Sequence, residues 1–271
     1  PSGKLADTWA YKYEDYPSSE KFSHNNGNVE TELYDEGIYV GYRYFDTFEV
    51  PVRYGFGYGL SYTDFEITGC ALKAVSAEKI RVTATVRNTG NVSGKEVVQV
   101  YASLPGGILE KEAHRLAAYA KTNELKPGEA QEVTMEVKMD GLTSYDEKRA
   151  AWILESGFYG IWVGNSLASA KLCGGIKLDQ EVIRRQVRNL FPLKQELEEI
   201  SQEASKTAKR AAAAAQQAKE EELTVLNIRG ADIATETVEY KKNADLYEKE
   251  AMDFVNTLSE EDLIDLAAGD P

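Results

Sequence analysis

Side chains able to make or break bonds are unevenly represented in this sequence. Its 271 residues hold two histidines, His24 and His114, and two cysteines, Cys70 and Cys173, against 45 aspartates and glutamates. Two histidines cannot complete a metal-ligating set. Neither stands near a glycine elbow bearing a serine, so a Ser/His/Asp arrangement has no candidate. Carboxylates do occur side by side, as in Glu14-Asp15 and Glu260-Glu261. The first pair reads as a solvated cluster, and the second as the acidic first turn of a helix, where the dipole favours negative charge. The sequence therefore predicts no catalytic, cofactor-binding or metal-binding residue, and no cofactor. The cysteines lie about a hundred residues apart. A disulfide between them is open, but the expectation is two small buried side chains.

Aromatic chemistry is where the sequence is concentrated. Residues 36–46 read EGIYVGYRYFD and residues 54–65 read YGFGYGLSYTDF. Glycines alternating with large rings imply tightly folded backbone with rings packed over it or offered to a flat ligand. Tyr42, Arg43, Tyr44 and Tyr58 are the candidate residues for either use, as sugar contacts or as parts of a joint. The joint is the favoured reading, with the rings clamped against neighbouring structure. GFGYG contains two overlapping GxG steps but not GxGxxG, and no strand-to-helix turn follows it, so a nucleotide loop is not expected. Asn91-Val92-Ser93 satisfies the glycosylation sequon and is read as a turn.

Around these residues the chain changes texture four times. The first 62 or so residues are irregular. From Phe65 to about Leu178 the period is close to two, with NTGNVSG, KPGEA and ESG as breaks. IRVTATV should bury Ile80, Val82, Ala84 and Val86 and expose Arg81, Thr83, Thr85 and Arg87. Strands at this spacing, with no helix between them, predict an antiparallel β-sandwich whose core includes Val98, Val100, Val133, Val137, Tyr159, Ile161 and Val163. Trp152 and Trp162 are expected in core or interdomain packing rather than in ligand binding. A helix is predicted over about 193–223, where there is no Gly or Pro; its alanine-rich middle can pack closely or stand in solvent, and a spacer or surface brace is the preferred reading. Two short strands about Arg229-Gly230 and a helical stretch from about Ala244 follow. Ser259 caps the last helix, and Leu258, Leu263, Ile264, Leu266 and Ala267 form its apolar face.

Net charge of −14 excludes broad binding to nucleic acid. No apolar run approaches the roughly 18 residues of a membrane span, so no membrane partner is expected. No signal peptide is visible, which leads to an expected cytoplasmic, bacterial location. The missing initiator Met and the uncovered terminal helix suggest a piece of a longer chain.

The two tyrosine-glycine stretches resemble the segment joining two domains in glycoside hydrolase family 3, the β-glucosidases and β-xylosidases. VRNTGNVSGKEVVQVYASLP (86–105), LKPGEAQEV (125–133) and LTSYDEKRAAWILESGFYGIWVGNS (142–166) resemble that family's fibronectin type III-like domain. PSGKLADTWA is similar to the last strand region of its α/β sandwich domain. DFVNTLSEEDLIDLAAGDP, from Asp253, is similar to the first helices of its (β/α)8 barrel. Residues 185–225 have no counterpart. This order, with the barrel's start after the fibronectin-like domain, is that of the members with reversed domain order.

The resemblance implies a mainly β chain: a fibronectin type III-like (immunoglobulin-like) antiparallel sandwich with an irregular N-terminal segment and C-terminal helices. Its divisions would be 1–63, the α/β tail and joint; 64–183, the sandwich; 184–243, an alanine-rich linker with short strands; and 244–271, the barrel's start. It also implies a parent that hydrolyses terminal β-D-glucosyl residues with retention, using two carboxylates about 5 Å apart. In the family the nucleophilic Asp lies in the barrel and the acid/base Glu in the α/β domain, and neither motif occurs here. The expected role is then a non-catalytic brace whose partners are the missing domains, with β-glucoside oligosaccharides as further ligands. The alternatives are a carbohydrate-binding module using exposed aromatics, or a scaffold unrelated to sugars.

Overall fold

Only short elements form in the aperiodic first 60 or so residues: β1 (Trp9–Ala10), α1 (Tyr42–Thr47) and β2 (Val52–Tyr54), with β1 and β2 paired antiparallel. The structure is a computed structural model that describes residues 2–193, 197–239 and 244–268. Contacts divide these residues into two units, separated between Glu236 and Thr237. Among them no helix is long and apolar enough to cross a membrane.

The period-two region becomes a sandwich. One sheet has the order β3 (Phe65–Ser76), β4 (Lys79–Asn88), β7 (Ala130–Lys138). In β4 the buried residues are Ile80, Val82, Ala84, Val86 and Asn88, as the alternation requires. The facing sheet is built from β5 (Val97–Ser103), β6 (Arg115–Lys121), β10 (Gly157–Gly164) and β11 (Lys171–Leu178), with β11, β10, β5 and β6 in that spatial order. A smaller ribbon contains β8 (Ser144–Asp146), β9 (Ala151–Leu154) and β12 (Val182–Gln186). All these pairings are antiparallel. Val82, Val86, Val98, Val100, Val133, Val137, Tyr159, Ile161 and Val163 share one buried cluster between the sheets. The Tyr159 hydroxyl donates to the Glu155 carbonyl at 2.7 Å, the backward bond of the tyrosine corner found in immunoglobulin-like sandwiches.

Three expectations need correction. Cys70 and Cys173 are joined, their Cα atoms 5.8 Å apart. They come from β3 and β11, so the bridge ties one sheet to the other. The helix α2 (Ala204–Glu220) starts about ten residues later than its composition suggests; residues 194–196, within that expectation, lie outside the described residues. Of the two short strands expected about Arg229-Gly230, the first is β13 (Thr224–Ile228), which adds to β11 in parallel rather than pairing as a hairpin. Together β12 and β13 carry the sandwich past residue 183.

The bridge closes a loop with a sequence separation of 103 residues, and it should stabilise the fold by restricting the unfolded chain. Reduction, or Cys70→Ser with Cys173→Ser, is expected to cost about 2–5 kcal/mol in urea unfolding. Identical midpoints with and without reductant would show that the bridge contributes nothing.

In the second unit α3 (Ala244–Val255) and α4 (Glu260–Ala268) form as the pattern predicts. The Asp262 amide donates to the Ser259 hydroxyl at 3.1 Å, and the Ser259 amide donates to the Asp262 carboxylate at 2.9 Å. This reciprocal cap explains the helix start. Leu263, Ile264 and Leu266 are exposed. Gly269-Asp270-Pro271 lie outside the described residues.

Candidate functional site

Residues one helical turn apart share a face, and α1 uses one such face to grip the sandwich. The Leu116 amide donates to the Tyr42 hydroxyl at 3.0 Å, and the Ala113 amide donates to Thr47 Oγ1 at 2.9 Å. His114 Nδ1 lies 2.9 Å from Asp46 Oδ2, and Arg43 Nε lies 3.4 Å from Glu112 Oε1. Positions 42 and 46, and 43 and 47, are i,i+4 pairs, and all four meet the stretch 112–116 that leads into β6.

The rings make a second layer. Tyr42 packs on Phe56 with centroids 4.6 Å apart, and both meet Tyr101 edge-on at 6.5 and 6.4 Å. Tyr101 rises from β5 and is fully buried. Its hydroxyl donates to the Gln99 side chain, whose amide nitrogen reaches the Asn165 carbonyl at 3.4 Å. Burial, with the fields of Tyr42 and Asp46, pushes the Tyr101 hydroxyl well above the ordinary phenol range, so it stays protonated. Gly57 lies directly over this group. Its φ is +79°, and a Cβ there would stand 2.6 Å from Gln99 Oε1 and 2.9 Å from Ser166 Cα. Glycine is required twice over, by conformation and by space.

A buried charged layer lies beneath α1. Burial pushes the Glu112 carboxyl up, but Arg115, bonded through Nε at 2.7 Å and Nη2 at 2.9 Å, outweighs it with Arg43 behind, leaving Glu112 below the usual range. Lys111 and Glu155 form a fully enclosed pair. Tyr39, also buried, donates to Glu110 and accepts from Gln202 Nε2 at 3.0 Å. Gln202 bonds the Lys111 carbonyl as well, and accepts from Arg210 at 2.7 Å. Through this residue α2 is coupled to the joint. The helix itself packs by Thr207, Ala211, Ala214 and Ala218, at spacings of four, three and four residues. A Cβ on Gly106 would stand 2.5 Å from Ala208 Cα, so helix and loop approach as closely as backbones can. The alanines thus let the helix pack closely, where a spacer or surface brace was expected.

A family model described as a fibronectin type III-like domain matches residues 96–167. Beta-glucosidase A of Butyrivibrio fibrisolvens is 43% identical over 211 residues, covering 70% of this chain and 25% of that protein. Beta-glucosidase 3B of Thermotoga neapolitana, solved with α-D-glucose, superposes with a TM-score of 0.63 at 41% identity, over 67% of this chain and 25% of that one. The GH3 beta-glucosidase of Bifidobacterium adolescentis gives 0.63 at 33% identity, over 71% of this chain and 28% of that one. The chain belongs to glycoside hydrolase family 3. It spans about a quarter of the length of these family members.

Within this family 3 segment the four candidate residues divide. Tyr42, Arg43 and Tyr44 come together on α1 and are half-buried. Tyr58 lies apart with Tyr54 and Trp9: Tyr54–Tyr58 centroids are 4.8 Å apart at 39°, and Trp9–Tyr54 are 5.9 Å apart at 70°. Trp9 and Tyr58 are 52% and 40% exposed, and Tyr62 is 78% exposed, so the clamp does not cover every ring. Sequence reasoning missed Tyr101, Gln99 and Glu112. VVQVYAS did carry a signal, since its alternate positions, Gln99, Tyr101 and Ser103, include no charged residue, as a strand covered on both faces requires.

Proposed function

We propose that this segment is a structural, non-catalytic part of a family 3 β-glucosidase, where joint and fibronectin-like sandwich brace the catalytic domains. The parent would remove terminal non-reducing β-D-glucosyl residues with retention. The four-point docking of α1 on residues 112–116 carries the reading: a joint fixed by several polar contacts transmits position, which a flexible linker cannot. The exposed Trp9, Tyr11, Tyr13, Leu60 and Tyr62 support it, as apolar surface that further domains of the parent would cover. Tyr42, Arg43 and Tyr44 then act as joint residues. Tyr54 is tilted by 39° to Tyr58 and by 70° to Trp9, whereas a platform for a flat glucan needs coplanar faces.

The test is activity. The isolated chain is expected to leave aryl β-glucosides at the buffer background, because one missing carboxylate already removes most of the rate and both motifs are absent from the sequence. Turnover that survives purification to constant specific activity and vanishes on heating would overturn the proposal.

A further inference from the structure

A second feature lies on the β8–β9–β12 ribbon. In register, Trp152 of β9 stands opposite Tyr145 of β8 on one side and Arg185 of β12 on the other. Cross-strand neighbours share a face, so the three form a row. The Tyr145 and Trp152 rings lie 5.2 Å apart at 48°, which holds the indole in place while it stays 41% exposed. The register shifts between Ile183 and Arg185, and this bulge turns Arg184 toward the same side as its neighbour. Asp140, Thr143, Trp152, Arg184 and Arg185 line a cleft of about 220 Å³.

The charged groups of the cleft pair with one another, although Arg184 Nε is buried without a hydrogen bond. Arg184 Nε lies 2.5 Å from Asp140 Oδ1, and its Nη1 donates to the Ala234 carbonyl at 2.8 Å. Arg184 also meets Glu78 at 3.4 Å, while Arg185 meets Asp140 at 3.8 Å and Glu236 at 3.2 Å. Two guanidinium groups therefore face three carboxylates, so the cleft holds no surplus positive charge to attract an anion. It offers fixed donors and acceptors together, beside a flat apolar face. The volume is below the roughly 300 Å³ at which drug-sized ligand sites begin, so the part of an occupant that the cleft encloses is about one ring.

We propose that this cleft binds a single neutral pyranose ring, stacked by its apolar C–H face on Trp152, with hydroxyls bonded to Asp140 and Arg185. The residues that line it are not those that dock α1, although the Thr143 carbonyl accepts from Arg115 at 2.6 Å.

The test is an NMR titration of the whole chain with methyl β-D-glucopyranoside, following the three tryptophan indole N–H signals. The Trp152 signal should move saturably at millimolar sugar, and those of Trp9 and Trp162 should not. Arg185→Gln should weaken the binding about tenfold, the effect of one lost hydrogen bond to a charged group. Trp152→Leu, at a half-exposed position where folding should survive, should abolish the shifts of residue 140–143 amides. Inorganic phosphate, glucuronate and adenosine serve as competing probes. No saturable shift with the glucoside, unchanged binding by Trp152→Leu, or tighter binding of any of the other three would overturn the proposal.

Discussion

Val100→Asp is expected to abolish folding. Val100 lies in β5, opposite Val163 of β10 and Ala118 of β6, and is fully buried in the cluster between the sheets. A carboxylate there has no cation within the cluster to pair with, since the cluster's members are apolar. Burying an unpaired charge costs several kcal/mol, or forces the group to take up a proton and still lose its hydrogen bonds to water. A domain's whole stability is about 5–15 kcal/mol. The other face of β5 offers no escape by a one-residue slip, because Gln99 and Tyr101 are buried there under the joint. The variant should be insoluble or show no cooperative transition by circular dichroism. A soluble Val100→Asp chain with a single sharp melt would mean that β5 is in the wrong phase.

That prediction could be written from the sequence because alternation is a local signal: Val98 and Val100 repeat at the strand period and flank polar Gln99. What covers the opposite face is not local. Tyr101 is buried by Tyr42 and Phe56, 59 and 45 residues before it in the chain. The same distinction explains α2. Residues 197–203 are mostly good helix formers, but Ile200 donates to the Asp35 carbonyl at 2.8 Å and Gln202 is drawn to Tyr39 and Lys111. Tertiary bonds override the propensity. For the cysteines, no pattern places Cys70 opposite Cys173; that needs the relative position of two sheets. Arg184 shows the reverse case at the cleft. Strict alternation would send it to the face away from Arg185, and only the bulge brings the two together. The fold class was therefore legible in detail, the ring-rich stretch 36–46 was legible as composition but not as the helix α1, and the contacts made across long loops were not.

Gly57→Val should melt well below the unmodified chain, and Gly57→Ala nearly as far below. Gly57 is held on both sides: its amide donates to the Leu5 carbonyl at 2.8 Å, and the next residue's carbonyl accepts from the Leu5 amide at 2.8 Å. The backbone at φ +79° cannot relax without breaking that pairing. A side chain in the left-handed region costs about 1–2 kcal/mol by itself. The first added carbon also meets Gln99 and the Ser166 backbone, and Gln99 cannot swing aside while Tyr101 and Asn165 hold it. Overpacking of this kind adds about 1–3 kcal/mol, so the total is about 2–5 kcal/mol. At about 2–4 °C per kcal/mol for a domain of this size, the melting temperature should fall by roughly 4–20 °C. Alanine carries the carbon that clashes, which is why it should behave almost like valine. Tyr58→Phe, at an exposed ring, should stay within about 0.5 kcal/mol of the parent. If the tyrosine-glycine segment instead served as a sugar platform, Tyr58→Ala would reduce retention on a glucan matrix without moving the melting temperature, and Gly57→Ala would be mild. Melting temperature and retention measured on the same variants decide it. A Gly57→Ala chain that melts with the parent would show that the segment yields, and a joint that yields cannot brace two domains.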